Sequence, residues 1–301
     1  MSGRTGGRWL LLYNAAAGQR NRRSQIEQVR KDLAGRGIEL ETFAPSSPAE
    51  MTERAKSAAN EGGVSAVLAM GGDGTIATVA AGLVGTATPL GIVPAGTANV
   101  LAREISIPLD PVEAVRVLVD ATPRPFDVGR ANGRLFLLMA GVGIDAEIVR
   151  DAPRWAKRHF GRAGFLGTTL AKVFRNDRPR VVVEIGGVSI EAADVVVANC
   201  RLYGGAFAIA PEADPADGML DVVIFENSGP RDLFRSLIAL VRGRHLDLPG
   251  VSLRRADRIR IRAAGASGAG AVQLDGDYVS ETPVEITVEA RALHLLVPPN
   301  R

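Results

Sequence analysis

Cysteine and histidine are scarce in this 301-residue chain, which has one cysteine, Cys200, and three histidines. A single cysteine excludes an internal disulfide framework and is typical of a reducing compartment. Cys200 and the histidines lack the spacing of zinc ligands. No apolar run approaches the roughly 20 residues that a bilayer crossing needs, and the polar start does not resemble a signal peptide. We therefore expect a soluble, cytoplasmic globular protein.

Lysine and net charge are also low. None of the four lysines follows a glycine, which excludes a phosphate-binding loop of the GxxxxGK type. A GxGxxG after the first predicted strand and a GxSxG nucleophile elbow are missing too. The 36 basic residues nearly balance the 33 acidic ones, which leaves a formal charge of +3. Binding to nucleic acid is therefore not indicated.

The most informative segment that is present is the glycine-rich MGGDGT at residues 70–75. The apolar run 64–70 predicts a buried parallel strand, and residues 76–84 predict the helix after it. Such a junction presents backbone N–H groups to an anion, and its glycines permit close approach. Asp73 can hold a metal-bound water or a ribose hydroxyl. The alternative is an ordinary turn in which Asp73 or Thr75 caps the helix.

A second junction of the same kind strengthens the phosphate interpretation. Residues 89–93 predict another short strand, followed by PAGTAN at 94–99 and a helix-like segment at 100–104. The first predicted strand, 9–13, runs into the small residues 14–18. Because parallel strands bring their carboxyl ends to one edge of a sheet, the three loops are predicted to converge as a nucleotide site.

These motifs occur in an order that resembles the diacylglycerol kinase catalytic-domain family, which includes bacterial lipid kinases and sphingosine and ceramide kinases. The segments that carry the resemblance are residues 14–18, GGDGT at 71–75, PAGTAN at 94–99, Asp127 in PFDVG, GVGIDA at 141–146, residues 210–221 and LDGD at 274–277. GGDGT alone is shared with the NAD kinases. The ordered set covers nearly the whole chain.

The resemblance implies phosphoryl transfer from ATP to a lipid hydroxyl. The residues it assigns to ATP are Asn14, Gly18, Thr42, Gly71, Gly72, Asp73, Gly74, Thr75, Gly96 and Thr97. Phosphoryl transfer usually needs Mg²⁺ to neutralise the phosphate charge, and Asp73 and Asp127 are the candidates to hold that ion. By resemblance, Asp217 binds a second, structural Mg²⁺ with the backbone carbonyls of Asp214 and Met219. The alternative for Asp217 is an acid that satisfies a turn.

Asp277 is the predicted general base, because it stands where the family places a glutamate. Aspartate shortens the reach by one methylene, roughly 1.5 Å. Asp275 and Glu281 are the fallback bases. The chain also departs from the family at Ala15, Ala17 and Val100, where many relatives have proline, serine and aspartate.

The predicted fold class is α/β plus β-rich. We expect an α/β nucleotide-binding domain of the NAD kinase and diacylglycerol kinase type at residues 1–122, in which strands and helices alternate around a parallel sheet. A β-sandwich-like lipid-substrate domain follows at 123–290, where short runs such as 134–139 are rich in strand-forming residues. Residues 291–301 are predicted to return to the first domain.

The predicted partner is a lipid substrate at a membrane surface. A basic, amphipathic helix at residues 230–244 could rest on anionic headgroups, or it could be an ordinary solvated helix. A second basic cluster is predicted within 152–174, and an exposed strand edge could support a homodimer. Two other functions stay open, namely a soluble-substrate kinase resembling NAD kinase and a catalytically silent nucleotide- or lipid-binding regulator.

Overall fold

The computed structural model describes residues 7–14, 19–151, 180–205, 207–227, 229–265 and 268–299. The chain divides into two compact units. The first unit comprises Met1–Phe126 together with Arg291–Arg301, and the second comprises Asp127–Ala290. The predicted site residue Gly18 and the predicted basic cluster within 152–174 lie outside the described residues.

The first unit alternates strands and helices. Its elements are β1 (Gly7–Tyr13), α1 (Gln19–Ala34), β2 (Ile38–Phe43), α2 (Pro48–Asn60), β3 (Val64–Gly71), α3 (Asp73–Leu83), β4 (Leu90–Pro94), α4 (Val100–Glu104) and α5 (Pro111–Val119). Strand β5 (Thr122–Ala131) begins in this unit and ends in the second.

Four parallel strands in the order β2-β1-β3-β4 form the sheet of the first unit. The centre of β1 and the whole of β4 are buried, which matches their continuous apolar sequences. The end of the last strand of the chain, β18 (Val284–Val297), pairs with β4 through Leu295 and Leu90. The predicted parallel sheet is confirmed, and the loops after β1, β3 and β4 leave it at one edge.

Local capping explains where two helices of the first unit begin. The Ser47 side chain accepts a hydrogen bond from the backbone N–H of Glu50, and Pro48 occupies the first turn of α2. Asp110 caps α5 in the same manner, ahead of Pro111. Both starts combine a capping side chain with a proline whose fixed φ suits the first helical turn.

The second unit is mainly antiparallel strand. Its strands are β6 (Arg134–Phe136), β7 (Met139–Gly143), β8 (Val181–Ile185), β9 (Val188–Ala192), β10 (Asp194–Ala198), β11 (Leu202–Tyr203), β12 (Phe207–Ala208), β13 (Leu220–Phe225), β14 (Val251–Ala256), β15 (Arg258–Ala263), β16 (Ala271–Leu274) and β17 (Asp277–Glu281). Its helices are α6 (Ile144–Asp151) and α7 (Pro230–Val241), with a short 3₁₀ turn at His245–Asp247.

Two sheets supply the core of the second unit. One contains β9, β8, β15 and the first part of β18, and the other has the order β14-β13-β10-β7-β16-β17. Their buried valines, leucines and isoleucines form a shared cluster around side chains such as Val183, Val197 and Ile261. The predicted β-rich second half is confirmed.

One predicted strand is divided in the structure. Residues 134–139 form the end of a hairpin in β6 and the start of β7 rather than a single strand. Leu137 and Leu138 interrupt the run because their backbone N–H groups donate to the Asp275 carboxylate. Among the described helices, none is both long and apolar enough to cross a membrane.

Candidate active site

The two glycine-rich loops of the first unit touch through their backbones. A Cβ added to Gly96 would lie 2.4 Å from the Cα of Gly72, a distance that side chains do not tolerate. The N–H of Ala95 donates to the carbonyl of Gly71 at 2.8 Å. Glycine at position 96 therefore allows the loop after β3 and the loop after β4 to form one continuous surface.

The loop after β3 turns directly into helix α3. Gly72 has an extended backbone, and its carbonyl accepts from the N–H groups of Thr75 and Ile76. A Cβ on Gly71 would meet the Thr75 side chain at 2.5 Å, so the threonine packs where only glycine leaves room. Gly74 and Thr97 are exposed. The start of α3 presents N–H groups at the sheet edge, and the exposed Thr97 adds a hydroxyl from the loop after β4, as an anion site requires.

Asp73 connects the two loops. Its carboxylate oxygens accept from the backbone N–H groups of Val100 and Leu101, both at 3.1 Å. Asp73 therefore binds the start of α4 and does not cap its own helix, which has no side-chain cap, so its role differs from the capping alternative considered for the helix after the turn. Since a carboxylate has about four lone-pair sites and these bonds use two, the geometry leaves room for a further contact.

Asn99 completes the second loop. It has a left-handed backbone with φ of 49°, and its side chain both accepts from the N–H of Gly96 at 2.9 Å and donates to the Gly96 carbonyl at 3.0 Å. Asparagine is one of the few residues that adopts this conformation readily. It thus holds Gly96 and the exposed Thr97 in place.

Asn14 and Thr42 lie on neighbouring strands. Asn14 is exposed and follows β1 immediately, beside the end of β3, because Tyr13 is in register with Met70. Thr42 lies in β2, and its hydroxyl accepts from the Arg30 guanidinium at 3.3 Å. The structure therefore brings Asn14 to the edge that carries the glycine loops, whereas the Thr42 side chain is engaged with helix α1.

In the second unit, Asp127 holds the loop that was predicted to bind a structural metal. Its side chain is fully buried, and one carboxylate oxygen accepts from the N–H of Gly218 at 2.6 Å. The N–H of Asp127 donates to the carbonyl of Pro215, also at 2.6 Å. Asp127 and the 214–219 loop, which the sequence assigned to two separate ions, are thus neighbours in one structural element.

The 214–219 loop is a set of tight turns. Asp214 accepts from the N–H of Ala216 at 3.1 Å, and Asp217 accepts from the N–H of Met219 at 2.9 Å. Asp217 is also ion-paired with Arg255. Within the described residues no three acidic, histidine or cysteine side chains are grouped as metal ligands, so an ion here would depend on backbone carbonyls.

The Asp275-Gly276-Asp277 turn separates its two acids clearly. Asp275 has φ of 49°, and its carboxylate accepts from the N–H groups of Leu137, Leu138 and Met139 at 2.8, 2.8 and 3.0 Å. These three bonds fix the turn to the start of β7 and make Asp275 a structural anchor. Asp277, at the start of β17, is exposed.

The other fallback base is also engaged. Glu281 lies 3.5 Å from the Arg150 guanidinium at the end of β17. Of the three candidate bases, Asp277 and Glu281 are exposed and Asp275 is half-buried.

Sequence reasoning missed a buried chain of side chains behind this turn. The Gln273 amide donates to Asp145 at 2.7 Å and accepts from the N–H of Gly276, also at 2.7 Å. Tyr203 hydrogen-bonds the other oxygen of Asp145. Burial raises the pKa of the Asp145 carboxyl, although both hydrogen bonds act in the opposite direction. The sequence signal for this network was GVGIDA, which supported the family resemblance but assigned no role to Asp145. Its Gly141 packs against Asp145, since a Cβ at position 141 would lie 2.1 Å from that carboxylate.

Comparison with known proteins agrees with this architecture. Residues 8–131 match the family described as the diacylglycerol kinase catalytic domain, and residues 139–297 match the YegS C-terminal NAD kinase beta sandwich-like domain. A diacylglycerol kinase of Mycobacterium tuberculosis is 33% identical over 245 residues, or 78% of each chain. One of Bacillus subtilis is 27% identical over 293 residues, or 96% of this chain and 95% of that protein.

Solved structures share the fold. A crystal structure from Bacillus anthracis aligns with a TM-score of 0.83 at 23% identity and covers 99% of this chain and 97% of its own. The family matches and the named relatives define this protein as a two-domain phosphotransferase. The chain belongs to the diacylglycerol kinase catalytic-domain family, and it is a kinase.

Proposed function

We propose that this protein is an ATP- and Mg²⁺-dependent lipid kinase that transfers the γ-phosphate to the hydroxyl of a lipid such as diacylglycerol. The observation that carries the proposal is the backbone contact between Gly72 and Gly96, which joins two loops into one surface of N–H groups at the start of α3. The two curated relatives named above are diacylglycerol kinases.

The nucleotide phosphates would bind on this surface through the exposed Gly74 and Thr97 and the half-buried Thr75. Mg²⁺ would neutralise charge on the β- and γ-phosphates. The Asp73 carboxylate fits a water-mediated contact to that ion, because each of its oxygens uses one lone pair on a backbone N–H. Roles for Asp127 in the same ion site, and for Asp217 with the carbonyls of Asp214 and Met219 in a second site, remain proposals.

Asp277 would take the proton of the acceptor hydroxyl as that oxygen attacks phosphorus. Asp277 is exposed, as a group that meets an acceptor from solvent must be, whereas Asp275 is half-buried and held by three backbone N–H groups. The hydrogen bond from the N–H of Gly276 to Gln273 fixes the backbone beside Asp277.

The test is transfer of radioactive γ-phosphate from ATP and Mg²⁺ to diacylglycerol in mixed micelles. Asp277→Ala should lower kcat by about 10²- to 10⁴-fold, the usual contribution of a general base, with unchanged ATP affinity. Asp257→Ala is the matched control, because Asp257 is an exposed acid elsewhere in the second unit. Full activity in Asp277→Ala would remove Asp277 from the reaction.

The same assay separates the alternative functions. Labelling of NAD instead of the lipid would indicate a soluble-substrate kinase. ATP binding without labelling of either acceptor would indicate a silent regulator, and restoration of transfer by Asp277→Glu would trace that silence to the missing methylene. A cytoplasmic location and a homodimer stay predictions.

A further inference from the structure

Helix α7 (Pro230–Val241) presents one continuous face to solvent. The exposed residues of the helix are Arg231, Phe234, Arg235 and Val241, and Arg242, which caps its end, is exposed too. Their spacing of three, four and seven positions places all five on a single stripe. Phe234 is 52% exposed and Val241 is 58% exposed. The stripe therefore combines large apolar side chains with cations instead of segregating them.

The opposite face fixes the helix to the second unit. Leu233 packs against a small buried cluster formed by Ile144, Ile148 and Ala193. Just beyond the helix, His245 is fully buried and its Nε2 lies 2.7 Å from the carbonyl of Ile209. Because the inner face already supplies the packing, core burial does not explain the outer stripe.

All the charged side chains of the outer stripe are cations. Arg231, Arg235 and Arg242 have no carboxylate within ion-pair distance among the described residues, whereas Arg244, just after the helix, pairs with Asp247 at 3.0 Å. The only acid of the helix, Asp232, is half-buried and lies to one side of the stripe. The stripe thus holds positive charge without an internal counter-charge.

We propose that the outer stripe of α7 docks this kinase on bilayers of anionic phospholipid. Arginines interleaved with an aromatic and an aliphatic side chain suit the headgroup and acyl boundary, where the cations meet lipid phosphates and the apolar groups leave water. The biological purpose of this docking rests on the proposed function, since a diacylglycerol kinase must reach an acceptor that stays in the membrane. Its test needs neither ATP nor catalysis.

The experiment is co-sedimentation of the full chain with vesicles of phosphatidylglycerol and phosphatidylcholine, without ATP. The wild type should bind vesicles that contain phosphatidylglycerol and should not bind phosphatidylcholine alone. Arg235→Glu/Arg242→Glu should weaken binding by at least about 25-fold, from about fivefold for each arginine lost at the surface. Phe234→Ser/Val241→Ser should weaken it by about tenfold through lost apolar insertion.

The matched control is Arg258→Glu/Arg260→Glu on β15, which makes the same change of charge at exposed positions in the same unit. It should retain binding, apart from a small general electrostatic loss. If the helix and control variants lost vesicle binding equally, net charge alone would explain the loss and the proposal would be overturned. Wild-type vesicle binding by both helix variants would also overturn it. Dissociation of a dimer with unchanged vesicle binding would assign the stripe to a second copy of the chain instead.

Activity toward diacylglycerol in uncharged detergent micelles distinguishes this proposal from the proposed function. Helix variants should be fully active there, because the docking surface is not needed. An inactive wild type that still binds anionic vesicles through α7 would contradict the kinase assignment and leave the docking surface standing. An active wild type that does not bind the vesicles would support the kinase assignment and overturn the docking surface.

Discussion

The loops of the two units are held in place by different means. In the first unit, Gly72 and Gly96 bring two loops into backbone contact, and any added side chain would separate them. In the second unit, buried or half-buried carboxylates perform this task, because Asp127 and Asp275 each bind backbone N–H groups of a distant segment. The first arrangement depends on the absence of side chains, and the second on their presence.

The difference predicts how each unit responds to substitution. A loop that depends on close backbone contact cannot shift to accommodate an added side chain, since its nearest neighbours are backbone atoms. A loop held by a carboxylate tolerates changes of shape but loses several hydrogen bonds together when that group is altered. Asp73 is the informative exception, because it is a carboxylate anchor inside the glycine-built unit.

Gly96→Ala should produce the largest effect. Its Cβ would lie 2.4 Å from Gly72 Cα, so the two loops must separate. We expect ATP affinity to fall on the order of 100-fold, and the free energy of unfolding to fall by about 1–3 kcal/mol, as for other overpacked sites. Isothermal titration with ATP and urea unfolding measure the two quantities.

Gly35→Ala is the control for that variant, because its Cβ would lie at an ordinary contact distance of 3.6 Å from the carbonyls of Lys31 and Asp32. Wild-type ATP affinity in Gly96→Ala would show that the loop contact is dispensable. The contrast between the units would then be lost.

Asp73→Asn should have the next largest effect, and it tests whether this acid is structural. An amide keeps one acceptor but turns its NH₂ toward a backbone N–H, so one of the bonds to Val100 and Leu101 is lost. The cost should be about 1–3 kcal/mol of unfolding free energy, measured by urea unfolding in EDTA without nucleotide.

Asp120→Asn is the control for Asp73→Asn, because Asp120 is exposed and makes only a 3.7 Å ion pair with Arg36. If Asp73 acts solely through a metal ion, both variants will unfold like the wild type in EDTA. Activity would then fall in Asp73→Asn without any loss of stability.

Most of the fold could be predicted because its signals are local. The strand at Ile38–Phe43 and the helix at Pro48–Asn60 follow from apolar patterning and a proline start. The parallel edge follows from the order of strands and glycine turns. The division of residues 134–139 could not be predicted, because its cause is Asp275, more than 130 positions away along the chain.

The residues of the candidate site also differ in whether a local sequence signal reveals them. The glycine loops were visible in the sequence because close backbone approach demands glycine at fixed positions. The Gln273 link between Asp145 and Gly276 was not, since a buried glutamine leaves no pattern in a single sequence. Asp73 was recognised as important, but its partners Val100 and Leu101 depend on the contact between loops.

The smallest predicted effect concerns pH and the carboxylates of the second unit. Burial and the neighbouring charge of Asp145 raise the pKa of Asp194 well above its usual value. Asp194 accepts from the N–H of Asp145 at 3.0 Å, a bond that lowers its pKa, and the charge of Glu147 raises it further. The folded state therefore binds the proton of the Asp194 carboxyl more tightly than the unfolded chain does.

The raised pKa of Asp194 makes the stability of the protein depend on pH. Where the native state binds more protons, stability falls as pH rises from the unfolded pKa through the raised folded pKa. Asp194→Asn keeps an acceptor and removes the charge, so its unfolding free energy should fall less than that of the wild type between pH 4 and 7. The two pH profiles should therefore diverge as pH rises toward 7, measured from urea midpoints, with the exposed Asp257→Asn as control. Parallel pH profiles for wild type and Asp194→Asn would mean that the carboxylate network of the second unit stores no unfavourable charge.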